Sequence, residues 1–148
     1  MEKPDRNLEE QVWRRIGGQP QPDRSDLRPL LLMTWEQASV LRHLTGLLQG
    51  GQRTKTKAVA EAESRSLAAQ RGIMAMTGQS AGQLRPVPIP KEPVRRLLEK
   101  AFHRAGKLMT EYTARSLDPE FGVVWQTLAD RERSNAAVLA ELVGGLDK

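Results

Sequence analysis

Seven residues near the end of the chain form a stripe that a helix places on a single face. They are Phe121, Trp125, Leu128, Glu132, Asn135, Leu139 and Leu142, at successive spacings of 4, 3, 4, 3, 4 and 3. Such spacing is close to the helical repeat and describes a seam that helices bury against each other in a bundle. Two members are out of place in an apolar seam. Glu132 and Asn135 are polar, and being three apart they share a face, one turn from each other.

Val59, Glu63, Ser66 and Ile73 repeat the arrangement more weakly, and an offset of 69 residues carries one set onto the other. Glu63 maps to Glu132, Ser66 to Asn135, Val59 to Leu128 and Ile73 to Leu142. The same offset takes Met33 to Phe102, Val40 to Met109, Glu36 to Ala105 and His43 to Tyr112. Duplication of a helical hairpin accounts for this economically.

Four long helices are expected, with no strands, because nothing alternates with period two. The first spans about Asp26 to Gln49, with Ser25 as its cap, Pro29 in its first turn and Gly50-Gly51 as its stop. The second covers about Arg53 to Thr77 and ends at Gly78. The third follows Pro93 and continues to about Ser116. Asp118-Pro119-Glu120 signals the start of the fourth, which runs to Val143 before Gly144-Gly145. Short turns make two antiparallel hairpins. The link between them, Gln79 to Glu92, carries Pro86, Pro88 and Pro90, which favour an extended path. Its 14 residues reach roughly 45 Å, enough to run the length of a helix of roughly 36 Å. The chain therefore divides into 1–25, a short amphipathic helix at about Leu8 to Ile16 with Trp13 plus a linker, and 26–148, an all-α bundle.

Composition narrows the chemistry. The 148 residues include no cysteine, which excludes disulfides, thiolate–metal sites and a thiol nucleophile. Met1 to Arg15 lacks the apolar stretch of a signal peptide, and the longest apolar run, Leu30 to Met33, is too short to cross a bilayer. A cytoplasmic location without membrane contact is expected. The net charge of +5 comes from scattered basic residues. With aromatic residues at only 4%, the pattern reads as a solvated basic surface rather than a nucleic-acid site.

The segment from Tyr112 through Leu117-Asp118-Pro119-Glu120-Phe121-Gly122 and Trp125 to Arg131-Glu132-Arg133-Ser134 resembles the third-to-fourth helix junction of ferritin-like, rubrerythrin-type proteins. Arg71-Gly-Ile-Met-Ala-Met-Thr-Gly78 resembles the end of their second helix, and Val12-Trp13-Arg14-Arg15 a short leading helix of some bacterial members. The resemblance implies a ferritin-like four-helix bundle with a long crossover. In that family two Glu and two Glu-x-x-His pairs hold two iron or manganese ions. Carried over by position, Glu36, Glu63 and Glu132 remain as metal-site carboxylates. Ser66 and Asn135 stand where histidines are expected, and Ala105 where a Glu is expected.

Three carboxylates without an aligned imidazole are poorly suited to di-metal chemistry. His43 is two turns from Glu36, roughly 10.5 Å along the helix, and fits a core or boundary residue better than a ligand. His103 lies off the seam. Buried Glu residues must be neutralised, by Arg104 or Arg131, by protonation, by water or by a weakly bound cation. The expectation is a bundle that has lost di-iron redox chemistry and serves as a non-catalytic or partner-binding protein, a homodimer among its allowed assemblies. The alternative is a divergent rubrerythrin-like oxidoreductase that binds iron or manganese through the reduced carboxylate set.

Overall fold

The computed structural model describes residues 26–146. The leading helix expected at Leu8 to Ile16 and the Ser25 cap lie outside the described residues. Within them the chain forms four helices and no strand: α1, Arg28–Leu47; α2, Gly50–Met76; α3, Val94–Arg115; and α4, Gly122–Gly145.

The helix ends follow local chemistry. Pro29 sits in the first turn of α1, where a missing N–H costs nothing. The Asp26 carboxylate accepts from the Arg28 N–H at 3.0 Å. The Gly50-Gly51 stop is displaced: α1 ends at Leu47, Leu48 is extended, and both glycines belong to α2. Gly50 has φ +61°, so glycine there supports the left-handed reversal into α2. Asp118, expected to cap the fourth helix, instead has its Oδ1 accepting from the N–H groups of Glu120 at 2.7 Å and Phe121 at 2.9 Å. Those bonds close a turn that precedes α4 rather than its first turn, so α4 begins at Gly122. A Cβ on Gly122 would stand 2.3 Å from the Ser116 carbonyl oxygen, so the close junction requires glycine.

Four inter-helix bonds define the arrangement. Thr34 meets Tyr112, Gln70 meets Thr34, Arg131 meets Ser66, and Asn135 meets Glu63. Each hairpin is antiparallel, α1 packs on α3 and α2 packs on α4, while the backbones of the diagonal pairs stay apart and meet only through long side chains in the centre. Because α2 ends where α1 begins, and α3 starts at the opposite end, the link must climb the bundle. It does so along α1: Gln79 accepts from the Leu27 N–H, Ala81 O from Arg28, and Arg85 O from the Trp35 indole. The expected crossover is present.

Every seam residue of α4 is buried. The apolar core, however, falls into two blocks. One joins Leu27, Leu30, Leu31, Ile73, Met74, Phe121, Trp125 and Leu128; the other joins Val40, Leu41, Leu44, Val59, Leu97, Leu98, Leu139 and Leu142. Between them lies a polar layer. Among the described residues no helix is long and apolar enough to cross a membrane.

Candidate functional site

The layer is built by the same 3–4 spacing that builds the core. On α1 the buried seam runs Leu30, Thr34, Gln37, Leu41, Leu44 and Leu48, and on α2 it runs Thr56, Val59, Glu63, Ser66, Gln70 and Ile73. The hairpins thus bring Thr34 and Gln37 from α1, and Glu63, Ser66 and Gln70 from α2, to the level of Glu132 and Asn135 of α4. From α3 come Ala105 and Tyr112, both fully buried, and the half-buried Arg104.

Glu63 and Glu132 are at the centre, each 0% exposed. Asn135 Nδ2 donates to Glu63 Oε2 at 3.0 Å. As two carboxylates the pair would leave Glu63 Oε1 and both Glu132 oxygens without a donor. A proton removes most of that deficit: carried by Glu132, it makes an O–H that hydrogen-bonds to Glu63. Burial, then the hydrogen bond and charge of Glu63, push the Glu132 carboxyl up to about 11, against the opposing pull of Asn135 and Arg131. Burial also raises Glu63, while Glu132, Asn135, Arg131 and Arg104 hold it back. At neutral pH Glu132 is therefore a neutral acid. Protonation, one of the four means the sequence allows, neutralises it rather than an ion pair with Arg104 or Arg131.

The two guanidinium groups flank the pair without touching it. Arg131 donates to Ser66 Oγ at 3.1 Å. Arg104 donates to Gln37 Oε1 at 2.7 Å and lies 3.5 Å from Glu36, while Gln37 Nε2 donates to the Ala101 carbonyl. Beyond them Gln70 Nε2 donates to Thr34 and to Tyr112, both at 2.8 Å. Thr34 gives its own proton to the Leu30 carbonyl, so the Tyr112 O–H donates to Thr34 across 2.9 Å. Tyr112 stacks on Trp125, and burial, with the nearby Glu132 and Glu63, raises its phenol well above the usual range.

The structure brings together Glu63, Ser66, Ala105, Glu132 and Asn135, but not Glu36. The Glu36 side chain is 48% exposed and faces Arg104 at the surface. The buried α1 residue is its neighbour Gln37. His43 and His103 are also exposed, so His43 is not a core residue. The correction has a simple cause. The 69-residue offset pairs buried with buried positions in α2 and α4, but in α1 and α3 it sets exposed Glu36 against buried Ala105, and exposed His43 against buried Tyr112. There an offset of 68 restores the match, joining Leu30 to Leu98, Gln37 to Ala105, Val40 to Leu108 and Leu44 to Tyr112. A slip of one residue rotates a helical position by about 100°, enough to move a side chain out of the core.

The donor set does not fit a pair of metal ions. The layer holds two carboxyls that share hydrogen bonding, the side-chain amides of Gln37, Gln70 and Asn135 and the hydroxyls of Thr34, Ser66 and Tyr112, with no imidazole, and two guanidinium groups lie at its edge. Among the described residues no three His, Cys, Asp or Glu side chains are grouped to hold a metal. No protein-family model, curated protein or solved structure matches the chain.

Proposed function

We propose that the protein is a divergent ferritin-like bundle without di-metal redox chemistry, acting as a non-catalytic scaffold that binds a partner. The observation that carries this reading is the state of the central pair: Glu132 is a neutral acid bonded to Glu63, and the third carboxylate, Glu36, is at the surface with Arg104. A di-metal centre requires ionised carboxylates converging on the cations and imidazoles completing their coordination. Here the acids hold a proton, and Gln37, Ser66, Ala105 and Asn135 supply no charge to replace what is missing. The crossover bundle and the residues around Tyr112 to Ser134 support the ferritin-like part of the reading.

The test is calorimetric titration of the protein at pH 7 with Mn(II), and with Fe(II) in the absence of oxygen, followed by thermal melts. A ligand of the folded state raises the melting temperature as its concentration increases. The expected result is no stoichiometric binding and an unchanged melting temperature. Two equivalents bound per chain, lost on Glu63→Ala, would establish the metal-binding oxidoreductase instead.

A further inference from the structure

An open cleft of about 640 Å³ lies between α3 and α4, on the outside of the bundle. Its apolar lining is Phe102 of α3 with Ala140 and Val143 of α4. Val143 packs on the second core block, so the floor continues the bundle interior. Phe102 is 37% exposed, and the His103 imidazole meets its ring edge-on with centroids 5.5 Å apart. Ala140 is exposed, and its single methyl leaves room that a longer side chain would fill. The charged lining comes from Arg96, Glu99 and Lys100. Glu99 is matched by Arg95 at 3.3 Å, whereas the one Glu92 carboxylate is shared by Lys100 at 2.8 Å and Arg96 at 4.0 Å. Positive charge is in excess there, as along α3 generally, which carries six Lys and Arg side chains against two Glu.

Shape and charge together select the occupant. A second copy of the same face is disfavoured, because a two-fold contact would set each basic α3 against its own equivalent. A lipid surface takes up apolar side chains that project, whereas these are recessed between two helices. A cleft between two helices accepts the ridge of a third, with apolar side chains on the floor. The cationic side chains around it then match acidic residues on the flanks of that ridge.

We propose that the α3–α4 cleft seats an acidic amphipathic helix of a partner protein. The proposal rests on the partner-binding reading above and names the face and the chemistry of that partner. The probe is a fluorescent synthetic helical peptide with leucines three and four residues apart on one face and glutamates beside them, titrated with the full chain by anisotropy. A peptide with lysine in place of every glutamate, and vesicles of phosphatidylserine and phosphatidylcholine, are the comparisons. Ala140→Glu and Phe102→Ser alter the cleft at exposed positions, and circular dichroism checks that both variants stay helical. Lys57→Glu makes a larger charge change at an exposed position on α2, which contributes nothing to the cleft. Saturable binding of the acidic peptide is expected, weakened about tenfold by Ala140→Glu and by Phe102→Ser and less than twofold by Lys57→Glu, with no binding of the lysine peptide. No saturable binding, equal weakening by Lys57→Glu, or binding of both peptides alike overturns the proposal. Vesicle binding that Ala140→Glu abolishes would assign the cleft to a membrane and overturns it as well. Metal uptake with peptide binding intact would remove the scaffold reading alone, and absence of both would remove the cleft alone.

Discussion

Replacing Glu132 with Gln tests the proton assigned to the buried pair. Gln is nearly the shape of a protonated Glu, and its amide can donate to Glu63 where the acid O–H did, so the packing of the layer is kept. What changes is the linkage to pH. In the unfolded chain Glu132 titrates at the ordinary 4.5, and in the fold it is raised to about 11. A raised carboxyl stabilises the fold most fully below its unfolded value, and that advantage is lost as pH rises toward its folded value. Between those limits the unfolded state releases a proton that the folded state keeps. Each pH unit then costs about 1.4 kcal/mol, or about 3 kcal/mol between pH 5 and pH 7.5. For a domain stable by about 5–15 kcal/mol that is a large share, equal to about 10 °C in melting temperature. The assay is a series of urea or thermal melts of wild type and Glu132→Gln from pH 4.5 to pH 8.5. The difference between the two curves removes contributions common to both, including that of the surface charges. Near pH 4.5 the proteins should be of similar stability, and the variant should become progressively the more stable above it. Parallel curves, or a wild type that gains on the variant as pH rises, would refute the assignment of a neutral Glu132.

Asn135→Ala removes the donor to Glu63 Oε2 and should cost about 1–3 kcal/mol, read as a lower urea midpoint with unchanged helical circular dichroism. Tyr112→Phe deletes one member of the Thr34–Gln70–Tyr112 triangle, and a loss of about 1 kcal/mol is expected in the same assay; stability equal to wild type would mean the hydroxyl bonds add nothing. Gly122→Ala drives a Cβ into the Ser116 carbonyl and should lower stability by about 1–3 kcal/mol. Gly106→Ala, inside α3 with nothing within 4 Å of the new methyl, should instead raise stability by about 0.5–1 kcal/mol. Finding the same sign for both glycines would refute the close α3–α4 junction.

The bundle was legible because helical spacing and connection length are local facts. The α4 stripe identified its own buried face, and the 14-residue link was long enough only for a crossover or a wide loop. The candidate site was half legible, for a reason visible in α1. Leu30, Thr34, Gln37, Leu41, Leu44 and Leu48 carry the same 3–4 spacing as the α4 stripe, and following it would have chosen Gln37. Glu36 is its acidic neighbour, and it enters the site only through the family resemblance and a repeat carried unchanged from α2 and α4 to α1 and α3. The two hairpin turns differ in length, so a register set on α2 and α4 need not hold on α1 and α3. Protonation of Glu132 could not be read from spacing at all. It depends on how completely three neighbouring helices exclude water and on the absence of a guanidinium in direct contact.

A buried acidic layer that holds no metal would still need a physical reason to persist. Apolar seams are tolerant of sliding, since a shift of one helical turn, about 5.4 Å, sets Leu against Leu again. The layer does not permit that shift. Asn135 joins α4 to Glu63 on α2, Arg131 joins α4 to Ser66 on α2, Arg104 joins α3 to Gln37 on α1, and Gln70 joins α2 to Thr34 and Tyr112 on α1 and α3. Every one of these bonds crosses between helices, and together they span about two turns of the bundle. Moving either hairpin by a turn would leave the acids and amides facing leucine, at the full desolvation penalty of each unpaired group. Polar core positions are known to fix register in helical assemblies at some cost in stability. Such a layer holds two hairpins in one alignment by its own hydrogen bonds, which is the property that the proposed partner-binding role requires.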